Sequence, residues 1–370
     1  MSAKHDPEAA MRKAGVREIP ARNSGVVLLR ADQVKSEPVA WLWPGWLARA
    51  KVHIFGGDPG AGKTTIALDL AAIITRGGRW PDATMAEAGD VLFWSGEDDI
   101  ADTLKPRLAR AGADMTRIHF VAGVSKDGRK RAFDPAMDMA ELSEAIGRMQ
   151  RPAMLVIDPL VSAIAGDSHN NAETRRGLQP LADLAIERRV AVLGIHHLSK
   201  GTQGRKPLER VTGSLAFGAL ARIVFFAARG EGKGGGEGER LFVRVKVNIG
   251  KDGGGFRYSL EQAPLADDPE ISASGIAWGA AVEGSAGDLL AKLEGLEPGK
   301  GDSPALIEAK GFLLDMLTAG PMPQKELKAE AEGVGISWAS VLRAKKTLGV
   351  QSEKAPGDGP WRWRLPERSP

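Results

Sequence analysis

One stretch constrains this chain more than any other: Val52-His53-Ile54-Phe55, then Gly56-Gly57-Asp58-Pro59-Gly60-Ala61-Gly62-Lys63-Thr64-Thr65, then Ile66-Ala67-Leu68-Asp69-Leu70-Ala71-Ala72-Ile73-Ile74. A short apolar run, a glycine-rich turn and an amphipathic stretch in that order predict strand, loop and helix. Gly57 to Thr64 fits G-x-x-x-x-G-K-T, the Walker A pattern. Glycines let successive backbone N–H groups turn inward around an anion with no Cβ in the way, and the helix that follows aims its positive end at the same charge. Lys63 is expected to reach the β- and γ-phosphates of ATP and the Thr64 hydroxyl to ligate Mg²⁺. Gly57, Asp58, Pro59, Gly60, Ala61, Gly62, Lys63, Thr64 and Thr65 form the expected cradle. With 46 glycines in the chain, a chance match is expected at the order of a few per cent. The flanking strand and helix lower that figure further.

At 370 residues there is room for one large domain and a small one, or for two medium ones. Hydrophobic residues make up 43% and charged residues 26%, ordinary for a soluble globular protein. The absence of cysteine excludes disulfides and thiolate-bound metal centres and suits a reducing cytoplasm. Met1 to Pro20 is charged with no apolar core, unlike a secretory signal. No run reaches the roughly 18 apolar residues of a membrane span, so a cytoplasmic location without a membrane partner is expected. A net charge of +3 permits nucleic-acid binding without arguing for it.

Beyond the loop, Asp90 to Ser95, Arg117 to Val121, Met154 to Asp158 and Val190 to His197 read as strands. Helical stretches alternate with them at Ile100 to Ala111, Asp138 to Met149 and Ala172 to Arg188. This alternation predicts an α/β fold with a mostly parallel sheet flanked by helices. Ligands in such sheets bind at the carboxyl ends of strands, where Glu97, Asp158, His196 and His197 all fall. Residues 1–35 read as a tail with one edge strand at Val26 to Leu29, and 36–284 as the main domain. Trp41, Trp43 and Trp46 would pack the entry of the first strand, stack on a base or cover a neighbouring subunit. Arg222 to Ala228 and Leu241 to Ile249 predict a hairpin with a glycine-rich tip, and Phe256 to Leu260 a third antiparallel strand. Residues 285–304 read as a linker around a short helix.

Hydrolysis of ATP needs a metal-positioning acid and a group that activates water. Asp158, after a continuous apolar run, has the Walker B pattern and would hold Mg²⁺; the alternative is a helix cap at a strand end. Glu97 is placed to accept a proton from water in line with the γ-phosphate, with Asp98 and Asp99 as alternatives that would otherwise cap the next helix. His196 and His197 are adjacent on a strand and point to opposite faces, so they cannot share a metal. One is expected to be packed and the other to face the cleft. The loop Ser199 to Thr212 carries Lys200, Arg205, Lys206 and Arg210 against one acid, Glu209, and would touch a nucleic-acid backbone or simply be solvated.

Taken together, Gly-Asp-Pro-Gly-Ala-Gly-Lys-Thr-Thr (57–65), Ser-Gly-Glu-Asp (95–98), Ile-Asp-Pro-Leu (157–160), His-His-Leu-Ser-Lys-Gly (196–201) and Thr-Gly-Ser (212–214) resemble the RecA-like ATPases of the plasmid RepA-type replicative helicase group. The likeness spans roughly Val39 to Leu260. It implies a homo-oligomeric ring, a hexamer, with ATP between subunits and single-stranded DNA in the channel. It implies that His197 is the sensor and that Arg222 completes the neighbour's site. Related ring helicases often carry Lys-x-Arg on a late strand; here the residues are Lys246-Val247-Asn248, so Asn248 supplies no cation there. A recombination or repair ATPase that remodels protein–DNA complexes, or a DNA-binding regulator switched by ATP, is the alternative.

Residues 305–370 form a separate pattern of three short helices and a hairpin, the arrangement of a winged helix. Arg343 and Lys346 lie three apart on the third helix. Arg362 and Arg364 alternate with Trp361 and Trp363 on the hairpin. The four cations are candidates for duplex or fork DNA contact, with protein docking as the alternative.

Overall fold

The computed structural model describes residues 28–126, 128–164, 171–196, 207–212, 215–230, 238–294, 304–318, 320–333, 336–354 and 361–366. The described residues divide into two compact units, the larger lying within 28–294 and the smaller within 304–366.

In the larger unit the strands are β1 (Val52–Gly57), β2 (Asp90–Ser95), β3 (Ile118–Phe120), β4 (Pro152–Asp158), β5 (Ala191–Ile195), β6 (Ile223–Arg229), β7 (Arg240–Val247), β8 (Gly255–Pro264) and β9 (Ser272–Val282). They form one sheet in the order β9-β8-β7-β6-β1-β5-β4-β2-β3. The run from β6 to β3 is parallel throughout, and β7, β8 and β9 add on antiparallel. Every residue of β1 is buried, as in a strand covered on both faces. Its alternate side chains feed two cores. Phe55 enters the one beneath α1 (Lys63–Arg76), and Val52 and Ile54 enter the one beneath α3 (Met139–Gly147) and α4 (Asn171–Arg188). Helix α1 ends at Gly77, whose φ of 63° is the left-handed cap that glycine adopts without strain.

The expected helix from Ile100 is a five-residue π-type turn (Ile100–Leu104) continued by α2 (Lys105–Arg110). Of the expected N-terminal edge strand, Leu28 and Leu29 are exposed and in no strand, and Val26 and Val27 lie outside the described residues. Trp43 stacks on Trp46 at 4.6 Å and on Trp80 at 4.9 Å, and its indole donates to Asp82 at 2.8 Å. Both Trp43 and Trp46 are buried, so these rings pack the entry of β1 and offer no stacking face to a base. Two differences concern the end of the unit. Strand β9 was not expected, and it lies over α1. The helix read as part of a linker, α7 (Ala286–Leu293), buries Ala286 and Leu290 in the second core and is capped by Ser285. The short helices α5 (Pro207–Thr212) and α6 (Leu215–Leu220) lead into β6.

The smaller unit holds α8 (Pro304–Thr318), α9 (Gln324–Gly333) and α10 (Trp338–Leu348) with β10 (Met322–Pro323), β11 (Gln351–Lys354) and β12 (Trp361–Arg364). The strands pair antiparallel in the order β10-β12-β11. Its own core gathers Leu313, Leu317, Leu327, Val341 and Trp363. Ser337 caps α10 by accepting from the Ser340 amide, and Gly349 closes the helix at φ 66°.

Candidate active site

The turn after β1 climbs through Gly60 (φ 70°) and Gly62 (φ 86°) into α1. A Cβ on Gly57 would collide with the Ala227 carbonyl of β6, and one on Gly62 would sit 2.8 Å from a methyl of Leu260. The glycines are needed here both for backbone angle and for close approach.

Lys63 is only 7% exposed, and its ammonium donates to the carbonyls of Gly57 at 3.0 Å and Asp58 at 3.3 Å. Burial pushes its pKa below the ordinary lysine value, while the charges of Asp158, Asp58 and Glu97 act in the other direction. The Thr64 hydroxyl donates to Asp158 Oδ2 at 2.7 Å, and Asp158, at the carboxyl end of β4, is 3% exposed. A hydroxyl and a carboxylate in contact beside a buried ammonium are the hard oxygen donors Mg²⁺ takes next to phosphates. Thr64 and Asp158 therefore fit that ion. Outside this pair, no group of three or more His, Cys, Asp or Glu suited to a metal occurs among the described residues.

The three acids after β2 have separate settings. Asp99 accepts from the amides of Ala101 and Asp102, and Asp98 faces Arg107 at 3.5 Å. Glu97 is exposed at the strand end, close enough for its charge to act on Lys63. Ser95 Oγ accepts from the amides of Glu97 and Asp98, at 3.3 and 2.9 Å, and fixes that turn.

His196 is packed, with its ring 4.4 Å from that of Phe217 and its amide on the Phe55 carbonyl. His197, Lys200, Arg205 and Lys206 lie outside the described residues. Arg210 is described, and it differs from the expectation of a DNA-facing cation. It is 4% exposed, and its guanidinium lies 4.7 Å over the Phe226 ring. It donates to Asp58 Oδ1 at 3.1 Å and to Glu294. Contacts to two partly exposed carboxylates tie it inside the unit.

Arg222 is exposed at the start of β6, where its amide donates to the Val52 carbonyl at 3.0 Å. In register β6 pairs Ile223 with His53 and Ala227 with Gly57, so Arg222 stands at the opposite end of β1 from the loop. That is about 16 Å away at the usual strand rise. An arginine side chain does not span it, so Arg222 cannot serve the loop of its own copy. It lines a cleft of about 290 Å³ with Lys51, Arg175 and Gln179.

In the smaller unit Arg343, Lys346 and Arg362 are exposed. Arg343 donates to Ser340 Oγ at 3.1 Å, and Arg364 pairs with Glu353 at 3.1 Å, which offsets its charge. Trp363 is buried, stacked on Trp338 at 5.3 Å with the Lys345 ammonium 4.3 Å over its ring. Leu342 is exposed, on the cation-bearing side of α10.

Sequence reasoning missed the groups behind the loop. Arg240 of β7 donates to the Gly60 carbonyl at 2.9 Å, and Tyr258 of β8 donates to the Ala61 carbonyl. Trp278 of β9 donates to Asp69 of α1 at 2.7 Å, and Ser274 lies 3.5 Å from the Thr65 hydroxyl. It also missed His53, fully buried in β1, whose Nε2 accepts from the Ala48 amide at 3.0 Å. Its Nδ1 then donates to the Val192 carbonyl at 3.1 Å. Burial lowers its pKa to about 4. That Tyr258 is the chain's one tyrosine is the only local signal any of these carried.

A glycine-rich loop between a central parallel strand and a buried helix, with a threonine and a strand-end aspartate in contact, defines a RecA-like P-loop α/β protein. Residues 17–203 match the AAA domain family, and the chain belongs to that family. It is also similar to the DNA repair protein RadA of Bacillus subtilis (strain 168), 23% identical over 160 residues. The match covers 42% of this chain and 30% of that relative. No helix among the described residues is long and apolar enough to cross a membrane.

Proposed function

We propose that the chain is a Mg·ATP-hydrolysing RecA-fold motor acting on DNA, ring-forming and helicase-like. The observation that carries the reading is the convergence of Lys63, Thr64, Asp158 and Glu97 at the carboxyl ends of three parallel strands. Lys63 would leave the loop carbonyls for the β- and γ-phosphates and neutralise charge as the terminal phosphoryl group departs. Thr64 and Asp158 would hold Mg²⁺, which when bound neutralises and orients those phosphates. Glu97 would orient the attacking water and take its proton. His197 would report on the γ-phosphate from β5.

Arg222 is assigned to the neighbouring copy's nucleotide. A cation at one end of the sheet and a phosphate loop at the other demand a head-to-tail contact, which closes into a ring when the rotation permits. A hexamer is the expected state. Lys200, Arg205 and Lys206 are assigned to single-stranded DNA in the channel. The smaller unit is assigned as a winged helix contacting duplex or fork DNA through Arg343, Lys346 and Arg362, with Arg364 the weakest contributor because of Glu353. The similarity to a DNA repair protein favours a second reading, a recombination or repair ATPase that remodels protein–DNA complexes without unwinding.

ATP turnover with and without single-stranded DNA, read with mass in solution and strand displacement on a fork, tests the assignment. DNA-stimulated turnover by an oligomer with displacement supports the helicase reading, and stimulation without displacement supports remodelling. A monomer whose turnover ignores DNA would sink both.

A further inference from the structure

The antiparallel extension places one charge that the reaction above does not use. Arg240 is 5% exposed, and among the described residues its one side-chain hydrogen bond is from a guanidinium Nη to the Gly60 carbonyl at 2.9 Å. Its Nε is buried without a partner, and no carboxylate pairs with it among the described residues. Arg210, buried beneath the same loop, contrasts with it: two carboxylates answer that charge. A buried cation with no counter-ion is costly unless an anion comes within reach.

Directly across the ladder from Arg240 stands Tyr258. The pair donate to successive carbonyls of the loop, Gly60 and Ala61. A trans peptide is planar, so a carbonyl drawn to one side turns the following N–H to the other. The bond from Tyr258 therefore sends the Gly62 amide away from β8. The Gly60 peptide turns the Ala61 amide back into the loop, where it meets the Asp58 carbonyl at 3.1 Å.

We infer that Arg240 is a positioning residue for nucleotide binding: with Tyr258 it sets the peptide planes of the phosphate loop, and its own unanswered charge is compensated by the phosphates that arrive on the far side. The inference rests on the loop binding a nucleoside triphosphate. It extends that reading by placing a second buried cation, after Lys63, behind the phosphates.

The test uses the full chain with Arg240→Met, which keeps most of the volume and removes the charge, and Tyr258→Phe. Mg·ATPγS affinity is titrated and the thermal midpoint is measured with and without that nucleotide. Arg240→Met is expected to weaken ATPγS binding by about tenfold or more, the scale of one hydrogen bond to a charged group. Its nucleotide-free midpoint is expected to be unchanged or raised, because replacing a buried unanswered ion by an apolar side chain removes a cost. A strut with no electrostatic role would show the reverse, a lowered nucleotide-free midpoint with affinity retained, and that result overturns the inference. Tyr258→Phe, which alters the peptide planes and no charge, is expected to weaken binding less than Arg240→Met does. Should Arg240→Met fail to fold, Arg240→Gln is read in the same way, since it removes the charge and the bond to Gly60 and leaves a polar amide where Nε now stands. Failure of the wild-type chain to bind ATPγS would instead remove the nucleotide reading itself.

Discussion

The parallel and antiparallel parts of the sheet meet the phosphate loop from different sides. From β1, β2 and β4 come the residues expected to touch phosphate, metal and water: Lys63, Glu97, Thr64 and Asp158. From β7, β8 and β9 come Arg240, Tyr258, Leu260, Ser274 and Trp278, which reach the back of the loop and of α1. In the first group Glu97 is exposed at its strand end, while Lys63 and Asp158 are buried and hydrogen-bonded at the loop. The second group is built into ladders and cores, so its substitutions act on loop geometry, helix placement and stability together. Removing Glu97 or the neighbour's Arg222 should change turnover with binding retained, and removing support should change binding or stability.

The largest effect is expected from Arg222→Ala, which should bind ATP normally and lose ~10³-fold or more in hydrolysis, as for other arginines that act in trans. Mixing it with Lys63→Ala protein should recover part of the activity at interfaces that join an intact loop to an intact arginine. Mixtures that co-assemble without recovery would move the role to another cation. Glu97→Gln comes next, with ATP bound and turnover slowed ~100-fold. Near-normal rates there would pass the proton to Asp98 or remove it from these acids altogether.

Two smaller effects separate the parts of the sheet by the sign of their pH dependence. His53 in β1 has its pKa lowered from 6.5 to about 4, so its contribution to stability is complete above 6.5 and is lost as pH falls through 4. Relative to His53→Gln, the wild type should lose on the order of 2 kcal/mol of unfolding free energy between pH 7 and pH 5. Asp69, held by Trp278 of β9, is raised from 3.8 to about 6 by burial, so its contribution is complete below 3.8 and is lost as pH rises through 6. Relative to Asp69→Asn, the wild type should lose on the order of 1 kcal/mol from pH 5 to pH 7. Urea unfolding at the two pH values measures both. Slopes of the same sign would show that the two burials do not oppose each other as described.

What could be read from the sequence divides in much the same way. Glycines with a lysine and threonine at fixed spacing, or an aspartate closing an apolar run, are local patterns, and Lys63, Thr64 and Asp158 sit where those patterns put them. Arg240 lies 180 residues from Gly60, and Trp278 lies 209 from Asp69. No spacing rule links such pairs, and only the added strands bring them together. Arg210 failed for a related reason. A basic stretch with little acid reads as solvated or DNA-facing, and nothing nearby shows that Asp58 and Glu294 close on one of its members. Strand β9 and the packing of α7 were missed because alanine, glycine and serine give weak periodicity.

The Arg210 contact joins two places the chain reaches 236 residues apart, counting from 58 to 294. Asp58 begins the phosphate loop, and Glu294 is the last residue of the larger unit. One guanidinium, held over Phe226, serves both carboxylates. The same group thus ties the last residue of the unit to the start of the loop, while the Arg229 amide holds the other oxygen of Asp58 at 3.2 Å.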